Sequence, residues 1–360
     1  MRYRRCKTCG IPRRISRVHR WMTNGTIVNT RVPQIRQVFM EANFLPELRR
    51  RISDGLGFPV NRIFFEAERN SVRITVEAFL KAPLLHIAAR IPAVRRAAVH
   101  YFNNLAWETG TANSRTVRYR SGKYGLARMR NPFDLDLMAA VVVGAFEALE
   151  RKPYRSFWKK ENGTYLLRVE ATPEKPELSG RLEVDFPPVR QGDFRLRLCP
   201  QCGMPLELSH MEWLEKEGLI IDRRRGIRMI NLDGYTPYLV NRELVRELGE
   251  TVIPIIIDAK RDYTMKMLED LGARVAVEED KREELLQDLL SLLPLYGWGL
   301  ATELEYSHGG TLRVWIDNPF DAYLIAGRLA AFYEVAEGRR ARVDWFQAEP
   351  STLTYLLTPA

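Results

Sequence analysis

The sequence predicts an α+β protein built from two homologous units related by an approximate two-fold axis. Three observations lead there. All four cysteines lie in two phrases of one form, Cys6-Lys7-Thr8-Cys9-Gly10 and Cys199-Pro200-Gln201-Cys202-Gly203. Further landmarks recur in the same order behind each phrase, and both copies end in a mix of apolar helix and short strands. A repeated pattern of this length is the mark of an internal duplication.

The offsets are nearly constant. The cysteines repeat at 193 residues, and Gly25-Thr26-Ile27-Val28 falls on Gly218-Leu219-Ile220-Ile221 at the same spacing. Val38–Glu41 falls on Ile230–Asp233, and Ile63–Asn70 on Ile255–Asp262, both at 192. Asn131-Pro132-Phe133-Asp134 returns verbatim as Asn318-Pro319-Phe320-Asp321 at 187. The units are read as residues 1–171 and 192–360. The stretch 172–191, with Pro173, Pro176, Pro187 and Pro188, is the linker between them.

Each unit opens on a knuckle, expected as a tight turn with short flanking strands. A strand over Gly25–Asn29 or Gly218–Asp222 follows, and then a second at 36–41 or 228–233. A helix over Leu45–Gly55 or Leu239–Leu248 comes next. The short apolar runs Arg62–Phe65 and Val252–Ile257 read as buried strands, completing a small β-α-β layer. Glu66, Glu68 and Arg69, with Asp258, Lys260 and Arg261, would close those strands, as a solvated end or a salt bridge between units, with the lining of a ligand crevice as the alternative.

Helical stretches are expected over 71–108 and 263–294. Paired strands follow at Arg115–Arg120 and Gly125–Arg130, and at Trp298–Tyr306 and Thr311–Asp317, the latter joined by a Gly309-Gly310 turn. The repeated Asn-Pro-Phe-Asp reads as a helix start, with asparagine as N-cap, proline at the first position and aspartate facing the dipole. The helices that follow, Leu137–Phe146 and Tyr323–Phe332, are apolar nearly all round and should be buried. Two closing strands end each unit, Tyr154–Trp158 with Thr164–Glu170, and Arg340–Phe346 with Leu353–Thr358.

Charge is unevenly divided. The chain of 360 residues has a net charge of +10. Residues 1–180 carry 33 Lys and Arg against 15 Asp and Glu, whereas 181–360 carry 22 against 30. The two halves should attract each other, and the basic half could also meet an acidic partner such as nucleic acid. No secretory signal and no run of apolar residues long enough to span a membrane is seen, so a cytoplasmic setting is expected. There, clustered cysteines bind metal more often than they form disulfides.

A resemblance enters in the last third of each unit. Tyr296-Gly297-Trp298-Gly299-Leu300, Leu312–Ile316 and Asn318-Pro319-Phe320-Asp321-Ala322, on to Phe332-Tyr333-Glu334, resemble the four-vinyl-reductase or hydrocarbon-binding domain family. So do Tyr124-Gly125-Leu126 and Asn131 through Glu147. The resemblance implies an α+β module with a pocket for a small apolar or aromatic ligand between its sheet and its buried helix. Family members often hold zinc through cysteines near the end of the domain. This chain has none there, so that site is not carried over.

The candidate sites follow. Cys6, Cys9, Cys199 and Cys202 are expected to hold one structural metal between the units: zinc, with rubredoxin-like iron as the rival. Separate Cys-Cys-His sites using His19 and His210 are the alternative arrangement. Trp107, Phe133 and Phe146 in one unit, and Trp298, Phe320 and Phe332 in the other, are candidates to line a ligand pocket. No motif marks a reductase: no Gly-x-Gly-x-x-Gly follows a strand and no P-loop is seen. The expected role is therefore binding of a small hydrophobic ligand, as sensor, carrier or accessory protein. The alternatives are an enzyme or maturation factor for an aromatic or tetrapyrrole-like substrate, or a nucleic-acid or protein adaptor using the basic N-terminal half.

Overall fold

A computed structural model describes residues 4–81, 91–178, 181–183, 188–272, 277–307 and 309–360. In the first half α1 (Arg13–Val18) leads to β1 (His19–Trp21), β2 (Ile27–Asn29) and β3 (Arg36–Glu41). Helices α2 (Phe44–Leu56), α3 (Asn61–Leu80) and α4 (Pro92–Glu108) come next. Strands β4 (Asn113–Arg120) and β5 (Tyr124–Arg130), helix α5 (Leu135–Glu150), and strands β6 (Tyr154–Glu161) and β7 (Thr164–Ala171) close it.

The second half runs through a 3₁₀ turn (Leu206–His210), β8 (Met211–Leu214), β9 (Leu219–Asp222) and β10 (Ile227–Asp233). It continues with α6 (Tyr235–Leu248), α7 (Val252–Asp270), α8 (Glu279–Leu290) and the short α9 (Leu292–Leu295). Strands β11 (Leu300–Tyr306) and β12 (Leu312–Asp317), helix α10 (Ala322–Glu337), and strands β13 (Ala341–Glu349) and β14 (Thr352–Pro359) end the chain.

One sheet stitches the halves together. Its order is β1-β2-β3-β10-β9-β8, with β3 antiparallel to β10 and Phe39 opposite Asn231. Two four-stranded antiparallel sheets stand apart from it, ordered β4-β5-β7-β6 and β11-β12-β14-β13. The helices cross over: α2 packs on α7 and α6 on α3, while α5 lies on α3 and α10 on α7. One contiguous apolar core therefore runs through both halves. Each large side chain buried in it contributes roughly 1.5–3 kcal/mol.

Small residues set the closest helix crossings. A Cβ at Gly144 in α5 would lie 2.2 Å from the Arg69 carbonyl oxygen of α3, and one at Gly327 in α10 would lie 2.5 Å from that of Ile257 in α7. Hydrogen bonds also cross between halves. Trp21 donates its indole N–H to Leu295 O at 2.9 Å, and Trp213 donates to Glu108 O at 3.0 Å. Asn131 donates its side-chain amide to Glu217 O at 3.0 Å, and Asn318 donates to Asn24 O at 3.1 Å.

Three expectations are corrected. The runs Arg62–Phe65 and Val252–Ile257 are not strands: they open the long helices α3 and α7. Their apolar positions continue at helical spacing, as in Ile63, Phe64 and Ala67, so a short apolar run was the first turn of a buried helix. The layer behind the knuckle is accordingly antiparallel strands followed by helices, not β-α-β. The polar residues placed at a strand end lie inside those helices, where Lys260 is fully buried.

The third correction concerns the Asn-Pro-Phe-Asp helix start. Asp134 and Asp321 are the N-caps, accepting from Leu137 N at 2.9 Å and Leu324 N at 2.8 Å. Asn131 and Asn318 sit before the helix at φ of 50° and 51°, a left-handed conformation that asparagine tolerates. Within 172–191 no described residue belongs to a helix or strand, yet Leu178 is buried in the core.

Candidate metal centre and ligand pockets

The two knuckles meet. Isolated bridges Arg5–Pro12 and Leu198–Pro205 pinch each turn at its base. Within the turns Gly10 N donates to Cys6 O at 3.0 Å, and Gly203 N to Cys199 O at 2.8 Å. Gly10 and Gly203 take φ of 76° and 71°, which a residue with a Cβ rarely adopts. The sulfurs of Cys6 and Cys199 lie 3.6 Å apart, those of Cys9 and Cys202 3.4 Å, and all four lie within 4.8 Å of one another.

That spacing suits one ion. Four thiolates at a Zn–S distance of about 2.3 Å stand about 3.8 Å apart in a tetrahedron. Backbone N–H groups are already aimed at the sulfurs, from Thr8 and Cys9 to Cys6, from Ile11 to Cys9 and from Met204 to Cys202. Burial opposes ionisation of Cys6, but those amides and the neighbouring sulfurs outweigh it and bring the thiol down to about 6. Burial pushes Cys9 and Cys202 up. The four cysteines could hold a metal ion. Gln201 ties the turns together, accepting from Lys7 N at 2.9 Å.

Neither histidine joins this group. His19 is buried between Asn231 Oδ1, 2.9 Å from its Nε2, and Ile15 O, 3.2 Å from its Nδ1. His210 Nε2 lies 3.5 Å from Asp222.

Two cavities are relevant to ligands. The first lies between α5 and the β4-β5-β7-β6 sheet, with α4 alongside. It encloses about 60 Å³ and is lined by Phe102, Gly125, Met138, Val142, Phe146 and Leu167 among others. The second is larger, about 510 Å³, between α7, α8 and α10 and the strands next to the second knuckle. Leu268, Leu289, Leu295 and Phe332 form its apolar wall, while Arg225 and Arg328 line it as well.

The aromatic candidates are scattered. Phe146 lines the first cavity and Phe332 the second, while Phe320 lines a third pocket near Tyr235 and Tyr238. Trp107 and Phe133 are core residues. Trp298 is fully buried, donates to Phe39 O at 2.8 Å, and has the Arg328 guanidinium 3.9 Å from its ring centre.

Sequence reasoning missed the charge beneath Trp298. Glu41, at the end of β3, is shared by Lys260 at 3.0 Å, Arg328 at 2.7 Å and Arg225 at 3.5 Å. Burial works against the Glu41 carboxylate, but the three cations hold it well below the usual range. Burial and the two guanidiniums bring Lys260 down to about 7, against the pull of Glu41. The available signal was Arg328 itself, an arginine inside Ile325-Ala326-Gly327-Arg328-Leu329. At the corresponding end of β10, Asp233 accepts from Thr75 and lies near Glu68 of α3. Burial raises Asp233 to about 7 and Glu68 to about 8.

No family model, no curated protein and no solved structure matches the chain. Among the described residues no helix is long and apolar enough to cross a membrane.

Proposed function

We propose that this protein is a tandem duplication whose halves are clasped by one zinc ion, and that it binds a small apolar or aromatic ligand as a sensor, carrier or accessory protein. The duplication is supported by paired contacts that repeat the sequence offsets. Trp21 to Leu295 is matched by Trp213 to Glu108, and Asn131 to Glu217 by Asn318 to Asn24. The all-thiolate set of four suits a structural zinc, and it would equally suit the rubredoxin-like iron that is its rival.

The observation that carries the ligand reading is the first cavity. It lies between a sheet and a buried helix, where the four-vinyl-reductase resemblance expects a pocket, and its lining is almost wholly apolar. A water needs roughly 10–15 Å³ of such space, so about 60 Å³ suits a ligand of few heavy atoms. Gly125 helps to make the room, since a Cβ there would lie 2.4 Å from the Phe146 ring. In the aligned place of the second half stand Leu312 and Tyr333, both fully packed. The ligand site would then belong to the first half alone.

Solvent extraction of the purified protein with mass spectrometry, and saturation-transfer NMR with toluene, test this reading. A retained apolar molecule, or toluene binding that Ala127→Phe abolishes, is expected. An empty protein that ignores toluene contradicts it.

A second reading, binding of single-stranded nucleic acid, is favoured by the outward face of the same sheet. Residues paired across β4, β5, β7 and β6 share a face, and this one presents exposed Arg115, Arg128, Arg130, Lys159 and Arg168 with Phe157, alongside two acids, Glu161 and Glu170, which pair with Lys159 at 3.2 Å and with Arg168 at 2.9 Å. Arginines and stackable rings on one sheet suit phosphates and bases. The equivalent face of the other sheet mixes Glu303, Glu305 and Asp344 with Arg313 and Arg342. The N-terminal arm is a poorer candidate, because Arg5 donates to Trp213 O at 2.6 Å and lies 3.6 Å from Glu215. Anisotropy with a fluorescent oligouridine would give binding that weakens with salt and with Arg128→Ala plus Arg168→Ala. No binding at low salt removes this reading.

A further inference from the structure

We infer that the larger cavity beside the second knuckle is a separate binding site for an amphipathic anion, with one carboxylate or phosphate head and an apolar aromatic or acyl body. This goes beyond the apolar site in the first half and does not depend on it.

The size is right for such a ligand. Sites for small molecules span roughly 300–1,000 Å³, and this one measures about 510 Å³. Its wall is leucine and phenylalanine from α7, α8, α9 and α10. That surface would take the apolar body.

The charge at its floor is out of balance. Arg225, Arg328 and Lys260 are gathered in or under the cavity against Glu41 and Asp222, while Glu207, which also lines it, is taken by Arg197 at 2.9 Å. A buried cation without a full partner is costly, and an anion entering the cavity would supply one. The lowered position of Lys260 is the same imbalance seen from the amine: Glu41 serves three cations, of which only Arg225 has a second carboxylate, Asp222 at 2.5 Å.

The hydrogen bonds of the floor are also incomplete. Arg225 gives Nε to Asp222 at 2.5 Å, but spends Nη1 on the Met267 sulfur at 3.0 Å, with Glu41 3.5 Å away, and Nη2 on the Met229 sulfur at 3.4 Å and Tyr296 Oη at 3.2 Å. Thioethers are weak acceptors, so these donors would gain from a carboxylate or phosphate oxygen. Arg328, 3% exposed, has a buried Nε without a protein partner, and the buried His210 Nδ1 also lacks one. Both residues line the cavity. Exposed Arg195 and Arg224 at its edge would draw an anion in.

Calorimetry with naphthalene-2-carboxylate, its neutral carboxamide and decanoate tests the assignment. The carboxylate is expected to bind at least about tenfold more tightly than the amide, the scale of one charge-assisted contact. Decanoate separates an acyl from an aromatic preference, and competition by inorganic phosphate reports whether the head site takes phosphate. Leu271→Trp, at an exposed rim position, should weaken binding without disturbing the core, and Arg328→Met should erase the preference for acid over amide. Three results would overturn the site. One is equal binding of acid and amide, and another is no binding of either acid up to about 1 mM, the weak limit of specific recognition. The third is binding that survives Leu271→Trp but is lost in Ala127→Phe, which would place the probe in the other cavity.

Discussion

The Glu41 carboxylate of β3 lies 3.0 Å from the Lys260 ammonium of α7, so a strand from the first half is neutralised by a helix from the second. Arg328 and Arg225 complete the cluster. The halves are joined by buried charge as well as by apolar packing, and this makes the junction vulnerable to single substitutions.

Glu41→Gln leaves three buried cations without their shared carboxylate. Removing one partner of a buried ion pair costs about 3–5 kcal/mol, and a loss of that order in urea denaturation is expected. Lys260→Met leaves Glu41 with two guanidiniums and should cost clearly less. Equal losses would argue against the sharing.

The second cluster predicts a pH dependence. Burial raises Glu68 to about 8 and Asp233 to about 7, so the native state holds protons that the unfolded chain releases near pH 4. Stability contributed by these acids is present below the unfolded pKa and is lost as pH rises through the folded one. Urea midpoints should therefore fall between about pH 5 and pH 8, by a contribution on the order of a few kcal/mol. Glu68→Gln should flatten that slope, and an unchanged slope in the variant would exclude Glu68 as its source.

Gly144→Ala tests the crossing of α5 on α3. The added Cβ would lie 2.2 Å from Arg69 O, a backbone atom that cannot turn aside. Overpacking of this kind costs roughly 1–3 kcal/mol. Val143→Ala on the same helix removes bulk instead, so the two changes distinguish a tight crossing from a merely apolar one by the sign of the volume effect. A Gly144→Ala protein as stable as the parent would show that the helices can separate freely.

Asp134→Ala and Asp321→Ala each remove an N-cap that the structure assigns to the aspartate of the repeated Asn-Pro-Phe-Asp. Losses of about 1 kcal/mol or somewhat more are expected from thermal unfolding. Asn131→Gly and Asn318→Gly, at positive φ, should cost less through the backbone, but they also lose the amide bonds to Glu217 O and Asn24 O.

Much of this architecture was legible because it is local. The buried helices α5 and α10 and the strands around them follow from uninterrupted apolar composition and the turn residues beside them. Where the reading failed, local signals were ambiguous. Ile63-Phe64-Phe65 and Ile255-Ile256-Ile257 are β-rich runs, and only packing of α3 on α5 and of α7 on α10 makes them helical. The cysteine cluster could be anticipated because C-x-x-C spacing carries its own geometry. The Glu41, Lys260, Arg225 and Arg328 cluster could not, since its members are brought together only when the helices of each half cross onto the strands of the other.

The central claim is that Cys6, Cys9, Cys199 and Cys202 hold one metal ion that joins the halves. Elemental analysis of the purified protein by inductively coupled plasma mass spectrometry, on parent and on Cys199→Ser, tests it most directly. The account predicts one zinc per chain in the parent and a marked loss in the variant. Two ions per chain, or none in a folded parent purified without chelator, would contradict it.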